Sequence, residues 1–340
     1  MGGVRAALRA TASFLPEGRL TNDDLASQFP DWSAAKILAK TGIATRPIAA
    51  PSECASDLGV EAGRRLLAGG ACPPEEVDFL LFCTQSPDHF LPATACLIQD
   101  RLGLPTRCGA IDINQGCSGF VYGLGLAKSL VEAETAHNVL LITAETYSKF
   151  IHPRDKSART IFGDGAAATL VSAVAGGAER LGPFVFGSDG RGAPNLIVPA
   201  GGMRQPPTPE HGLALERESG NWRSDQNLYM NGPEIFNFTI AAVPQLVAKV
   251  LEAWGHPAED VDYFVFHQAN RFMLEHLRTK LKIPTAKFCI DMEQTGNTVS
   301  ATIPIALERA LASGRLHSGC RVMLVGFGVG YSWAGCMATL

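Results

Sequence analysis

Two stretches of the chain decide its fold: residues 73–83, PPEEVDFLLFC, and residues 257–267, PAEDVDYFVFH. Seven of the eleven positions are identical or exchange one acid or aromatic for another: Pro73/Pro257, Glu75/Glu259, Glu76/Asp260, Val77/Val261, Asp78/Asp262, Phe79/Tyr263 and Phe82/Phe266. The offset is 184 residues. A second pair, His137–Ile142 and Cys320–Val325, matches at an offset of 183 residues. Two matches at nearly one offset point to an internal duplication. Each half then holds two similarly spaced, strongly apolar strands.

Between these strands the period changes from two to 3.6. Residues 92–102 and 118–134 read as helices in the first half, the second with Phe120, Leu124, Leu126, Ala127 and Leu130 on a stripe. Residues 269–281 and 300–313 repeat the pattern in the second half. An alternation from Val4 reads as a first strand that ends at the turn Pro16–Glu17–Gly18. Apolar strands that alternate with helices predict an α/β fold whose sheets are mixed but mostly parallel and covered by helices. The halves are placed at residues 1–175 and 176–340, and the Gly/Pro-rich stretch 187–212 reads as a surface loop.

The 340 residues are 46% hydrophobic and 18% charged, enough apolar surface for a sizeable core and too much for a disordered chain. The 29 Lys and Arg against 33 Asp and Glu give a net charge of -4, which argues against a general nucleic-acid binder. No run of 18 uncharged apolar residues suggests membrane insertion, and the start lacks an export signal. Gly2 is not in a myristoylation context, because Ala6 stands where Ser or Thr is required. A cytoplasmic protein is expected. The nine cysteines show no CxxC spacing, so buried reduced thiols are the plain reading for eight of them, and no metal site is expected. Cys117 is the ninth.

Cys117 lies in Asp112–Phe120, DINQGCSGF, between a strand at about 109–113 and the helix of 118–134. Unpaired N–H groups at a helix start favour a thiolate. Taken alone it could equally be an inert core cysteine. His267 follows an apolar strand in FHQAN, Phe266–Asn270, where α/β sheets present functional groups. Asn297 lies in TGNTVSATIP, Thr295–Pro304, and could serve a crevice, a helix cap or a turn. Brought together by the duplicated halves, a Cys nucleophile and a His/Asn pair that holds an enolate or oxyanion suit acyl transfer followed by carbon–carbon bond formation.

These three motifs, with KTGI at Lys40–Ile43, IFGDGAAA at Ile161–Ala168 and GFGVGYSW at Gly326–Trp333, resemble those of the beta-ketoacyl-acyl carrier protein synthase III family, within the thiolase-like superfamily. The resemblance spans almost the whole chain. It implies a thiolase-like fold of two duplicated α/β halves layered α-β-α-β-α. It also implies a homodimer, no metal or redox cofactor, and the catalytic trio Cys117, His267 and Asn297. In the implied reaction, Cys117 takes an acyl group from coenzyme A or an acyl carrier protein. The amides of Cys117 and Val329 hold the oxyanion. A malonyl thioester then decarboxylates against His267 and Asn297, and its enolate attacks the acyl-Cys to give a 3-oxoacyl product. Phe327 is expected beside the cysteine, and Asp164 shapes the site floor.

The chain departs from the family where substrates are selected. Lys36 takes the place of an adenine-stacking Trp, Lys40 that of an Arg, and Lys156 that of a nucleotide-contacting Arg. Positive charge stays while planar, bidentate recognition is lost. Phe272 replaces an Arg that helps to dock the carrier protein, with Arg271 next to it. Leu91 replaces a Phe that reaches the partner subunit's acyl pocket. A specialised lipid, quinolone or polyketide pathway is therefore weighed beside fatty acid biosynthesis. Two other readings keep the fold: an ester- or amide-forming acyltransferase without decarboxylation, and a non-catalytic partner subunit. A hydroxymethylglutaryl-type condensation would pair Cys and His with a Glu base, which the Asn297 motif fits less well.

Overall fold

In the computed structural model, residues 3–340 are described; Met1 and Gly2, and with them the myristoylation question, lie outside the described residues. The first half opens with β1 (Arg5–Phe14), β2 (Gly18–Thr21), α1 (Asn22–Gln28), α2 (Ala34–Thr41), β3 (Thr45–Ile48) and α3 (Ala55–Ala68). It continues with β4 (Phe79–Cys83), α4 (Thr94–Arg101), β5 (Gly109–Ile113), α5 (Gly119–Glu132), β6 (Asn138–Glu145), α6 (Lys156–Arg159) and β7 (Gly165–Val174). The second half begins with β8 (Leu181–Ser188), β9 (Leu196–Ile197), β10 (Leu215–Glu216), β11 (Trp222–Arg223), β12 (Tyr229–Met230) and α7 (Gly232–Trp254). It ends with β13 (Tyr263–Phe266), α8 (Arg271–Lys280), α9 (Thr302–Ala312), β14 (Arg321–Gly328) and β15 (Ser332–Thr339).

Two sheets carry the fold, in the orders β1-β7-β6-β4-β5 and β13-β14-β15-β8. Because side chains alternate along a strand, each sheet has two faces to bury. Leu80 and Phe82 of β4 turn to α3 and α4 on the outside, while Leu81 turns inward. In β13, Val265 turns inward, while Phe264 and Phe266 meet α7 and α8. Helices α5 and α9 fill the space between the sheets with Phe120, Leu124, Ile303 and Leu307, all fully buried. Each such side chain contributes roughly 1.5–3 kcal/mol. The resulting order is helix, sheet, helix, sheet, helix.

The duplicated segments do the same work in both halves. A single turn of 3₁₀ helix at Pro74–Glu76 leads into β4, and one at Ala258–Asp260 leads into β13. The Asp78 carboxylate then accepts from the backbone N–H of His137 at 2.8 Å and Asn138 at 3.1 Å. Asp262 accepts from Arg321 N at 2.7 Å. Each repeated Asp ties its strand to the next, which fixes the parallel registers Phe79↔Val139 and Tyr263↔Val322.

The expectation of mostly parallel sheets is corrected. Between strands, parallel pairing is confined to β4–β5, β4–β6 and β13–β14, with isolated parallel bridges at Phe162↔Asn297 and Phe264↔Phe288; every other strand pairing among the described residues is antiparallel. A strand buried on both faces reads as a continuous apolar run whichever way its neighbour points. The stretch 187–212 is also more than a surface loop. Residues Leu196 and Ile197 pair with Met230 and Tyr229, and Leu196 is buried. Helix α7 is long and apolar enough to cross a membrane by length and composition, yet Val243, Leu246, Val247 and Val250 lie against the second sheet. All nine cysteines are free; Cys72, Cys83, Cys108, Cys117, Cys289, Cys320 and Cys336 are buried, whereas Cys54 is half-buried and Cys96 exposed.

One carboxyl group joins the halves. Glu145, at the end of β6, is fully buried and accepts from Ser300 Oγ of the second half at 2.9 Å. Gln85 N and Ser86 Oγ also donate to it, each at 3.1 Å. Burial outweighs these donors and pushes its pKa from 4.5 up to about 8. A raised carboxyl contributes fully below pH 4.5 and loses that contribution as pH climbs through 8. Glu145→Gln removes this titration. The stability advantage of the parent over the variant should therefore shrink from pH 5 to pH 8, with a slope of up to about 1.4 kcal/mol per pH unit. Denaturant unfolding at both pH values measures it, and a pH-independent difference would contradict the account.

Candidate active site

Cys117 sits two residues before the first turn of α5, as the sequence predicts. It is 5% exposed. The second half crosses it closely. A methyl group placed on Gly326 would lie 2.7 Å from Ser118 Cα and 2.8 Å from the Cys117 carbonyl oxygen. One placed on Gly328 would lie 2.7 Å from Cys117 Sγ. Only glycine lets β14 run this near the nucleophile-bearing turn. The next residue, Val329, offers its backbone N–H to the sulfur.

His267 continues the ladder beyond β13, its N–H donating to Val325 O at 2.8 Å. Its ring is buried, edge-on to Phe327 with centroids 5.6 Å apart. Nδ1 lies 2.7 Å from Thr302 Oγ1, and Nε2 lies 3.4 Å from Asn297 Nδ2. Asn297 is held by its own loop: Val299 N donates to Oδ1 at 2.9 Å, which turns the amide nitrogen toward the histidine. Its backbone bridges to the first half, accepting from Gly163 N and donating to Ile161 O. Asn297 is thus at once a turn residue and a cavity residue. Asp164 is buried below, accepting from Ala49 N, Ser148 N and Ser148 Oγ, so it serves as a floor and brace.

Cys117, His267, Asn297, Phe327 and Gly328 line one cavity of about 90 Å³, with Leu196, Met230 and Ile235 as apolar walls. Val329 and Leu196 also border a second cavity of about 1180 Å³, walled by Tyr147, Phe150 and Leu228 and reaching Phe90 and Leu91. The sulfur therefore stands in a narrow, mainly apolar chamber into which the His267 and Asn297 side chains bring polar groups, and this chamber adjoins a wider one of mixed lining. Among the described residues, no group of three or more His, Cys, Asp or Glu side chains is placed to hold a metal ion.

Burial sets the charges. It pushes the Cys117 thiol up to about 12 against the lowering pull of the Val329 and Cys117 backbone N–H groups, and Glu145 adds to the rise. It pushes His267 down to about 3, opposed by a hydrogen bond to the Val299 carbonyl. Burial thus favours a neutral thiol on Cys117 and a neutral imidazole on His267 in the resting site, against the thiolate expected from the helix start alone.

The remaining predicted residues lie outside this chamber. Lys36 and Lys40 stand on α2 with their Nζ atoms 5.4 and 4.7 Å from the ring centroid of Trp32. An indole is present four residues before Lys36, just ahead of α2, with the two ammonium groups over its face. Lys156 begins α6 and is half-buried. Arg271 pairs with Glu293 at 3.3 Å. Phe272, 65% exposed, stacks on Phe236 at 5.6 Å. Leu91 is 82% exposed beside an exposed Phe90. Sequence reasoning missed Leu196, Met230, Thr302 and Glu145. An apolar Leu196–Ile197 inside a Gly/Pro-rich stretch was the available signal for the first.

Comparison with known proteins places this geometry. Residues 111–190 match the family model for 3-oxoacyl-[acyl-carrier-protein] synthase III, and residues 251–340 match that for its C-terminal part. The chain is 39% identical to the beta-ketoacyl-[acyl-carrier-protein] synthase III of Caldanaerobacter subterraneus subsp. tengcongensis, over 97% of this chain and 96% of that protein. Its structure superposes on a crystal structure of a 3-oxoacyl-(acyl-carrier-protein) synthase III with a TM-score of 0.98 at 58% identity, covering 99% and 100% of the two chains. On a 3-oxoacyl-(acyl-carrier-protein) synthase from Burkholderia xenovorans LB400 the score is 0.91 at 36% identity, covering 100% and 96%. The layered, duplicated architecture is the thiolase-like fold. The chain belongs to the beta-ketoacyl-[acyl-carrier-protein] synthase III family.

Proposed function

We propose that the chain is an acyltransferase that condenses an acyl thioester with a malonyl thioester, with loss of carbon dioxide, through an acyl-Cys117 intermediate. The observation that carries this reading is the single small chamber lined by Cys117, His267 and Asn297.

Cys117 Sγ attacks the thioester carbonyl carbon. The S–C bond forms, the incoming C–S bond breaks, and the thiol proton leaves with the departing pantetheine thiol. The backbone N–H groups of Cys117 and Val329 hold the tetrahedral oxyanion. Such donors count for most where water is excluded. The acyl chain extends into the wide cavity beyond Val329, past Leu196 and Leu228. The malonyl thioester then occupies the chamber with its carbonyl oxygen against His267 and Asn297. Its carboxylate leaves as carbon dioxide, and the electron pair passes to the enolate. The enolate carbon attacks the acyl-Cys carbonyl, and collapse returns the electron pair to Cys117 and frees the 3-oxoacyl product. A neutral His267 suits this role, because donation to a developing enolate needs an N–H and no net charge.

Both substrates are phosphopantetheine thioesters, carried by coenzyme A or by an acyl carrier protein. Lys36, Lys40 and Lys156 supply positive charge for the phosphates, and Arg271 and Phe272 open α8, the helix start on the side from which the carrier protein would dock. Phe327 holds the His267 ring. Fatty acid biosynthesis or a related lipid pathway, in a reducing cytoplasm, fits nine free thiols.

A second copy of the chain completes the molecule in this reading. β5 is an edge strand, and Ile111 on it is 44% exposed, with Phe90, Leu91, Leu126 and Phe186 also exposed. Bare strand edges with apolar neighbours are normally covered. Leu91 would then reach the partner's wide cavity.

Two tests follow. Mixing the protein with an acyl thioester should add one acyl mass, absent in Cys117→Ala. His267→Ala and Asn297→Ala should keep that adduct but lose condensation by about 10²- to 10³-fold each. An adduct that persists without Cys117, or acylated protein that releases no carbon dioxide from the malonyl thioester, would overturn the proposal. Ile111→Lys should turn a dimer into monomers in sedimentation; an unchanged dimer would remove β5 from the interface.

A further inference from the structure

Arg46, on β3, is fully buried and is one of the largest side chains to be so. Burial lowers its pKa from 12.5 to about 10, so the guanidinium keeps its charge at neutral pH. A buried charge is costly unless hydrogen bonds satisfy it. Here they go to uncharged oxygens. Nη1 donates to Asn22 Oδ1 at 2.6 Å. Nε, at 3.1 Å, and Nη2 both donate to the Thr160 carbonyl. Asn22 is held in turn, its amide nitrogen donating to the Ile43 carbonyl at 2.8 Å.

Thr160 follows α6, and the residues after it pair with Asn297. Asn297 N donates to Ile161 O at 2.9 Å, and Gly163 N donates to Asn297 O at 3.1 Å. The backbone of Asn297 therefore hangs on a segment that starts where Arg46 grips the chain. The stem of Arg46 also reaches the other side of this bridge. A methyl group placed on Gly296 would lie 3.0 Å from Arg46 Cγ, and one placed on Gly163 would lie 3.4 Å from Arg46 Cβ. The same strand is tied to the loop before Asn297, because Ala44 N and Thr45 N donate to Glu293 O at 2.8 and 3.1 Å. An apolar side chain of similar length would fill this space, yet it would leave the Thr160 and Asn22 oxygens buried without these donors.

We infer that Arg46 is a positioning residue: by holding the Thr160 carbonyl and packing against Gly296, it fixes the Asn297 amide where the malonyl thioester oxygen meets it. The inference rests on the condensation proposed above. Acylation uses the backbone N–H groups of Cys117 and Val329 instead, which adjoin α5 and β14. The two half-reactions therefore separate the effect of Arg46 on Asn297 from a general effect on the fold.

The test is a double-mutant cycle between Arg46→Met and Asn297→Ala, with acylation and malonyl decarboxylation followed separately. Arg46→Met should acylate Cys117 within about threefold of the parent, yet decarboxylate malonyl thioester about 30- to 100-fold more slowly. In the Asn297→Ala background the same substitution should cost less than about threefold, because the amide that it positions is gone. Arg46→Lys keeps the charge but not the fork that spans both oxygens, and should lose about fivefold, again only where Asn297 is present. Losses that multiply across the cycle would overturn the inference. Equal losses in acylation and decarboxylation would do so too, because they would mark a packing role, and so would unchanged decarboxylation. If Arg46→Met does not fold, Arg46→Lys decides by the same cycle. A parent protein that releases no carbon dioxide from malonyl thioester would instead count against the proposed function.

Discussion

The structure turns on one close approach. The turn that carries Cys117 belongs to the first half, and the strand that crosses it belongs to the second, with glycines at 326 and 328 where any side chain would collide. That approach puts Val329 N–H on the sulfur, Phe327 against His267, and the wide cavity at Val329, next along from Gly328. It also couples the chemistry to the core. Helix α5, which begins just after Cys117, is clamped between the two sheets by Phe120 and Leu124. The sulfur is as well fixed as the core itself.

Duplication explains how such an interface forms. Each half ends equivalent strands at the same level, tied by Asp78 and Asp262 to the neighbouring strand. Functional groups at those ends therefore face one another. Cys117 comes from one half, while His267 and Asn297 come from the other. Glu145 and Ser300 join the halves directly behind them. Burial favours the uncharged forms of Cys117, His267 and Glu145.

Much of this was legible in the residues. The repeat carried the duplication and the paired strands. The helices read at 92–102, 118–134, 269–281 and 300–313 became Thr94–Arg101, Gly119–Glu132, Arg271–Lys280 and Thr302–Ala312. The motif residues Cys117, His267 and Asn297 share one chamber. Strand direction was misread because apolar runs carry no directional signal. A better signal was present: only Val329–Tyr331 separates β14 from β15, too short for a parallel crossover. Thr302 and Glu145 were silent because a hydroxyl or carboxyl in a helix or strand gains meaning only from neighbours distant in sequence. The protonation state of Cys117 depended on burial depth, which outweighs the helix start that the local sequence advertised.

The central claim is that one chamber serves both halves of a decarboxylative condensation on Cys117. The most direct measurement isolates the acyl-enzyme, adds a malonyl thioester labelled with ¹³C in its free carboxyl group, and follows both partners together. The account predicts one labelled carbon dioxide released for each acyl group lost from Cys117, with a 3-oxoacyl thioester as product. Loss of the acyl group as free acid, ester or amide, without matching labelled carbon dioxide, would contradict it.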